Sequence, residues 1–214
     1  PMNTQGDTPL VYCIQHGSSI EIIDWLLRQD GMDVNTWSSG WMETNALCAA
    51  VVAEREDVVD RLLSIPSLCI NNIMGLYENC GHIAVRNNQH GILKKLLNYQ
   101  LKDTQTQLKV NGYSVSDYRK PGHEELAAYH KAKSLLVLAV EENKPKMVEV
   151  LLQCSRVDVN VDNGSALKIA LQKGFIEIAV QLIQDKRTEV NCFLSERTTW
   201  LDLKLALLGH ESAK

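Results

Sequence analysis

The chain has 214 residues, a formal net charge of -4 and 45% hydrophobic residues, which is typical of a folded globular protein. Its mild acidity argues against a nucleic-acid binder, because such proteins need a basic face to neutralise phosphates. No apolar run approaches the roughly 18 residues of a membrane-spanning helix, and the polar N-terminus does not resemble a signal peptide. We therefore expect neither nucleic acid nor a membrane span among its interactions.

A doubled apolar pair recurs five times along the chain, and each copy follows another apolar pair by four residues. Pairs at this spacing lie on one face of a helix, so each copy predicts a short amphipathic helix with a buried stripe. The doubled pairs are Leu26-Leu27, Leu62-Leu63, Leu96-Leu97, Leu151-Leu152 and Leu182-Ile183. Trp25 lies within the first of these stripes, and we expect it in the core.

A second helix is predicted upstream of each stripe, where a small residue recurs in register and would let neighbouring helices approach closely. The small residues are Cys13, Ala50, Ala84, Ala139 and Ala170. Between the two helices, four of the five units place a residue that tolerates the left-handed conformation at a helix end. These are Gly17, Asn88, Asn143 and Gly174, and Glu54 is the exception.

An extended apolar residue followed by Asn comes after the second helix of four units and predicts a turn. The asparagines are Asn35, Asn71, Asn160 and Asn191.

Together these units resemble the ankyrin-repeat family, in which a β-turn finger is followed by two antiparallel helices. The family's Thr-Pro-Leu opening is intact at Thr8-Pro9-Leu10, and its histidine survives as His82. The resemblance implies an all-α fold, an ankyrin-repeat solenoid of five to six helix-loop-helix units with short β-turn fingers and one insertion. It also implies that finger asparagines are possible sites of β-hydroxylation, here Asn35, Asn160 and Asn191.

We expect one ankyrin-repeat domain over residues 1–214. The repeats are placed at about 3–35, 36–71, 72–97, 134–160 and 161–191, with a partial unit at 192–214. Successive doubled pairs are 36, 34, 55 and 31 residues apart, against a family period of about 33. The long step predicts an insertion at about 98–133. Within it, residues 109–112 resemble a displaced finger turn, and residues 124–133 are predicted to extend the next helix backwards.

The sequence offers little for chemistry. Cys80 and His82 could be read as a nucleophile and a base, but their positions in the repeat favour a structural role. Neither a phosphate-binding glycine loop nor a convergent set of four metal ligands is found. We therefore predict no catalytic residue, no metal site and no cofactor. The six irregularly spaced cysteines favour reduced thiols and a cytoplasmic location.

Aromatic residues in irregular segments are the candidate binding residues, because Trp and Tyr dominate the binding energy of many interfaces. The candidates are Trp37, Trp41, Met42, Tyr77, Tyr113 and Tyr118. We predict a protein-interaction scaffold that binds another protein through the concave finger and first-helix face and the insertion. An alternative is the targeting module of a larger multidomain enzyme or secreted bacterial effector acting in host cytosol, since degenerate arrays of this kind resemble those of such effectors.

Overall fold

The computed structural model describes residues 2–39, 44–71, 73–74, 78–99, 107–114 and 131–189. In these ranges the chain is mostly helical, with short helices in antiparallel pairs. The helices are α1 (Pro9–Gln15), α2 (Ile20–Leu27), α3 (Ala46–Val52), α4 (Glu56–Leu63), α5 (Cys80–Arg86), α6 (His90–Asn98), α7 (Leu135–Glu141), α8 (Pro145–Leu152), α9 (Val161–Gln172) and α10 (Ile176–Gln184). The two-residue strands are β1 (Ile73–Met74), β2 (Glu78–Asn79), β3 (Tyr113–Ser114) and β4 (Lys131–Ala132). This arrangement confirms the predicted helical repeat fold.

The chain divides into two compact units. Unit 1 comprises Pro1–Lys109 and Ser114–Ala132, and unit 2 comprises Val110–Tyr113 and Lys133–Lys214. In unit 1 the inner helices α1, α3 and α5 pack in series, and the outer helices α2, α4 and α6 pack beside them in the same order. In unit 2, α7 packs on α9 and α8 packs on α10. Strands β1 and β2 pair antiparallel, with Ile73 opposite Asn79.

Side chains preceding the inner helices fix where those helices begin. Thr8, Asn45 and Ser134 have extended backbones, and each side-chain oxygen accepts a hydrogen bond from a backbone N–H in the first helical turn. Their partners are Val11, Cys48 and Val137. A cap of this kind stabilises a helix by about 1 kcal/mol. The first residue of the opening motif therefore starts the helix both where Thr-Pro-Leu is intact, at Thr8, and where Asn45 or Ser134 replaces the threonine.

A left-handed residue separates the inner helix from the outer helix in all five repeats. Glu54 has a φ of 56°, close to the 59° of Asn88 and the 53° of Asn143. The turn is therefore the same in the second repeat as in the others, and Glu54 is an exception in residue type alone. A non-glycine side chain in this conformation carries a steric cost, which the packing of α3 against α4 offsets.

The predicted stripes form the core of each unit. Val58, Leu62, Ile92 and Leu96 are buried in unit 1, and the small residues Ala50 and Ala84 lie fully buried between inner helices. In unit 2, Leu151, Ile178 and Leu182 are fully buried. Since these buried stripe residues are covered by neighbouring helices, stability is a sum over adjacent repeats.

One predicted helix extension is wrong where it can be compared. Lys131 and Ala132 are in β4, and Ser134 has a φ of -66° and a ψ of 149°, so α7 begins at Leu135. The extended backbone of Ser134 lets its hydroxyl cap α7, and a helix continuing through this position would lose that cap. The remainder of the extension, residues 124–130, lies outside the described residues.

Candidate functional site

Four finger asparagines form an asparagine ladder, defined here as Asn35, Asn71, Asn111 and Asn160. Each side chain donates from Nδ2 to a backbone carbonyl of the next finger and accepts from the backbone N–H two residues further on. The accepting carbonyl and the donating N–H belong to Ser67 and Cys69 for Asn35, to Gln107 and Lys109 for Asn71, to Arg156 and Asp158 for Asn111, and to Arg187 and Glu189 for Asn160. The bonds measure 2.7–2.9 Å.

Asn111 takes its place in this ladder although it lies in the long step between repeats. Its Nδ2 lies 2.7 Å from the carbonyl oxygen of Arg156, as the resemblance of residues 109–112 to a displaced finger turn predicts. Asn35 and Asn160 are half-buried and have both ends of their amides engaged. Their hydroxylation stays a prediction, and Asn191 lies outside the described residues.

The first finger is bound to the turn at the start of the chain. The Ser38 hydroxyl donates to the Asp7 carboxylate at 2.6 Å and lies 3.1 Å from the Gly6 carbonyl oxygen. The backbone N–H of Ser39 also donates to the Gly6 carbonyl oxygen at 2.8 Å. Trp37 precedes these anchored residues directly and is half-buried. The finger therefore holds Trp37 on a backbone that is fixed on its C-terminal side.

The other candidate binding residues cannot be placed beside Trp37. Trp41, Met42, Tyr77 and Tyr118 lie outside the described residues. Tyr113 contributes its backbone to β3, and its side chain lies outside what the structure describes.

An apolar surface at the N-terminal end of unit 1 has no counterpart among the sequence predictions. We call it the end face and define it by Pro9 and Tyr12 of α1 with Ile22 and Trp25 of α2. Trp25 is 60% exposed, so its assignment to the core was wrong, and Ile22 is 47% exposed. The residues in the position of Ile22 in later repeats are 0–1% exposed, namely Val58, Ile92, Met147 and Ile178.

The difference has a simple structural cause. The outer helix of the preceding repeat packs against α4, α6 and α10, whereas no outer helix before α2 is among the described residues. The inner helix shows the same contrast, because Pro9 is exposed while Ala46 and Cys80, in the same position of α3 and α5, are buried. Periodicity identified the stripe that contains Trp25 but carries no information on whether a neighbour covers it.

An open groove of about 520 Å³ adjoins the inner-helix half of the end face. It is lined by Asn3, Thr4, Gln5, Asp7, Pro9, Tyr12 and Cys13. The Tyr12 ring is 41% exposed and stacks on His16 at 4.0 Å between ring centroids. The His16 Nδ1 lies 2.9 Å from the carbonyl oxygen of Tyr12, which holds the imidazole in this stack.

The side chains of Cys80 and His82 make structural hydrogen bonds. His82 Nδ1 lies 2.8 Å from the side-chain oxygen of Asn79, which caps α5 by accepting from the N–H groups of Gly81 and His82. The Cys80 thiol is fully buried, donates to the Ile70 carbonyl and has a pKa well above its usual value because of desolvation. A protonated, inaccessible thiol is a poor nucleophile, so this pair does not form a catalytic centre.

Within the described ranges, no three His, Cys, Asp or Glu side chains cluster as they would to hold a metal ion. None of the helices in the same ranges combines the length and hydrophobicity that a bilayer crossing requires.

Comparison with known proteins agrees with the repeat architecture. Residues 81–193 match the family description "Ankyrin repeats (3 copies)", and residues 5–36 match "Ankyrin repeat". Among solved structures, the ankyrin repeat domain of Bcl-3, described as a unique member of the IkappaB protein family, is similar at 21% identity and a TM-score of 0.49. That similarity covers 86% of this chain and 88% of the other. Comparison with curated proteins gave no match. Because the three-repeat match alone spans more than half of the 214 residues, the chain belongs to the ankyrin-repeat family.

Proposed function

We propose that this chain is a protein-interaction scaffold that binds a partner protein through its fingers, its first helices and the insertion. Ankyrin repeats generally mediate protein–protein interaction, and their domains are typically non-catalytic binding modules. The observation that carries the proposal is the first finger, where Ser38 ties the backbone next to Trp37 to Gly6 and Asp7. A large aromatic side chain on a pre-organised loop loses little entropy on binding.

The test is affinity capture from cytosol with the wild-type chain and with the double variant Trp37→Ala, Trp41→Ala. We expect the double variant to lose the captured partner while its melting temperature stays close to that of the wild type. Removal of two contact tryptophans weakens binding by about 2 kcal/mol or more, which is about thirtyfold. Retained affinity with a large drop in melting temperature would assign both residues to packing and refute the proposal.

Trp25→Ala is the matched control for this experiment. Trp25 has the same side chain as Trp37 and Trp41, but it lies on the end face and not in the first finger. The control should capture the partner as well as the wild type does, which would show that the effect belongs to the first finger and not to the loss of any tryptophan.

We also propose a cytoplasmic location, or host cytosol if the chain is the targeting module of a larger secreted bacterial effector. The support is thiol chemistry, because Cys48 and Cys80 are buried as free thiols. Fractionation of cells producing the tagged full reading frame tests the location. Recovery of the protein in a membrane or extracellular fraction would refute it.

A further inference from the structure

Two carboxylates stand beside the tryptophan of the first finger. The Thr36 hydroxyl donates to the Asp33 carboxylate at 3.3 Å, and the Ser38 hydroxyl donates to the Asp7 carboxylate at 2.6 Å. Thr36 and Ser38 are the chain neighbours of Trp37, so an acidic group is bonded to the residue on either side of it. Neither Asp7 nor Asp33 forms an ion pair within the described part of the chain. The first finger therefore carries negative charge that no ion pair among the described residues neutralises.

The sequence around this finger is acidic as a whole. Residues 2–54 contain seven Asp or Glu and one Lys or Arg, which gives a net charge of -6, whereas the whole chain has -4. The next two arginines along the chain are each paired with a carboxylate, Arg55 with Asp57 at 2.7 Å and Arg61 with Asp24. Their charges are compensated locally, and the first finger keeps an acidic field.

The exposure of Asp33 is a property of its place in the finger. Cys69 and Asp158 each precede a ladder asparagine by two residues, as Asp33 precedes Asn35, and both are exposed as well. The side chain at this position therefore faces outward in the second and fourth fingers too. Its exposure does not depend on where the repeat lies in the array.

The Asp33 carboxylate is also held in place. It accepts from the backbone N–H of Asn35 at 2.9 Å in addition to the Thr36 hydroxyl, and the Asn35 side chain is itself a rung of the ladder. An ionised carboxylate can accept about four hydrogen bonds, so this group can still accept from a donor outside the chain. A group that is already fixed loses little conformational entropy when it pairs.

We propose that the partner segment bound by the first finger is basic, with a lysine or arginine that pairs with Asp33 beside Trp37. This inference rests on the proposed function, because it names the chemistry of the partner at that same site. A basic segment is attracted by both Asp33 and Asp7, whereas an acidic segment is repelled. Trp37 then supplies most of the affinity, and the carboxylates select among segments that could contact it.

Selection of a random dodecapeptide phage library on the immobilised 214-residue chain tests the proposal. Peptides that no longer bind Trp37→Ala are the ones that use the first finger. We expect lysine and arginine to be enriched in these peptides over the starting library. Their affinity, measured by fluorescence polarisation on the synthetic peptide, should fall by about threefold with Asp33→Asn, which is typical of an exposed ion pair. Asparagine has the same shape and still accepts from the Asn35 N–H, so the finger keeps this hydrogen bond.

A double-mutant cycle assigns the effect to one ion pair. Replacing the basic residue of the peptide with glutamine should weaken binding to the wild type by a similar factor but leave binding to Asp33→Asn nearly unchanged. Asp158→Asn is the matched control, because Asp158 accepts from the N–H of Asn160 at 2.9 Å in the fourth finger. It should bind the peptides as the wild type does. Far-UV circular dichroism establishes that each variant is folded.

The outcomes separate this inference from the proposed function. Finger-dependent peptides without an excess of basic residues, or with equal affinity for Asp33→Asn and the wild type, overturn the basic partner and leave Trp37 as a binding residue. If no selected peptide depends on Trp37, the first-finger site itself is refuted, and the inference about its partner falls with it.

Discussion

The side-chain amide of Asn35 donates to the backbone carbonyl of Ser67 at 2.7 Å, and this bond ties the first finger to the second. The same amide accepts from Cys69, so Asn35→Ala removes two hydrogen bonds and leaves two backbone groups without their partner. We expect this variant to lose about 2 kcal/mol of unfolding free energy, measured by urea denaturation.

Two variants make that result specific. Asn35→Asp keeps an acceptor for the Cys69 N–H but cannot donate to Ser67, so it should fall between the wild type and the alanine variant. Asn98→Ala changes an exposed asparagine at the end of α6 and should cost less than about 0.5 kcal/mol. Equal stability of Asn35→Ala and Asn98→Ala would show that the ladder bond contributes nothing.

Arg187 is a second point of attachment between fingers. Its guanidinium donates to the carbonyl oxygens of Leu152, Cys154 and Val157 at 2.7–3.1 Å, and Asp185 holds it in place. Arg187→Lys keeps the charge but has no planar fork, so we expect a loss of about 1–3 kcal/mol. Thermal unfolding followed by circular dichroism measures this change, and a lysine variant as stable as the wild type would contradict it.

The pair Asp185–Arg187 also predicts a pH dependence. The hydrogen bond that the Asp185 carboxylate accepts from Arg187 holds the pKa of Asp185 below its usual value, which means that folding favours the charged carboxylate. This contribution to stability is complete above the ordinary pKa of about 4 and is lost as pH falls through the lowered folded-state pKa. The stability difference between the wild type and Asp185→Asn should therefore be largest near neutral pH and shrink in acid. A difference that does not change between these conditions would rule out the linkage.

The cysteines should differ widely in reactivity towards a thiol reagent. Desolvation raises the pKa of Cys48 to about 12, and Cys80 is likewise fully buried, whereas Cys69 is exposed. Mass spectrometry after brief labelling at neutral pH should find Cys69 modified first and Cys48 and Cys80 protected, because the thiolate is the reacting form. Labelling in urea provides the control, in which all three should react alike. Early modification of Cys80 in the native protein would contradict its assignment to a structural role and support a nucleophilic one.

The sequence predicted the repeat fold well because its signals are local. Leu62 and Leu96 belong to stripes with helical spacing, and a stripe of this kind has one stable solution, which is burial against its neighbours. The displaced turn around Asn111 was recognisable for a similar reason, since an Asn after an extended apolar residue predicts a turn wherever it occurs.

What the sequence could not supply is the environment of each stripe. Trp25 shares the spacing of buried residues, yet it is exposed because coverage depends on a neighbouring repeat and not on its own helix. The α7 extension failed for a related reason. Good helix formers up to Lys133 favour a helix, but the extended backbone at Ser134 gains a side-chain cap that helix propensity does not consider.

The ladder holds the two ends of each repeat segment in the same arrangement although the segments differ in length. From each asparagine to the residue that donates to it, the chain takes 34, 38, 47 and 29 residues, yet the same pair of hydrogen bonds closes every step. Loop-closure entropy rises only by about 0.6 kcal/mol for each doubling of length, so extra residues inside a closed step cost little. Each segment between two rungs contains the two helices of a repeat, so extra residues can be accommodated in its loops as long as those helices keep their packing.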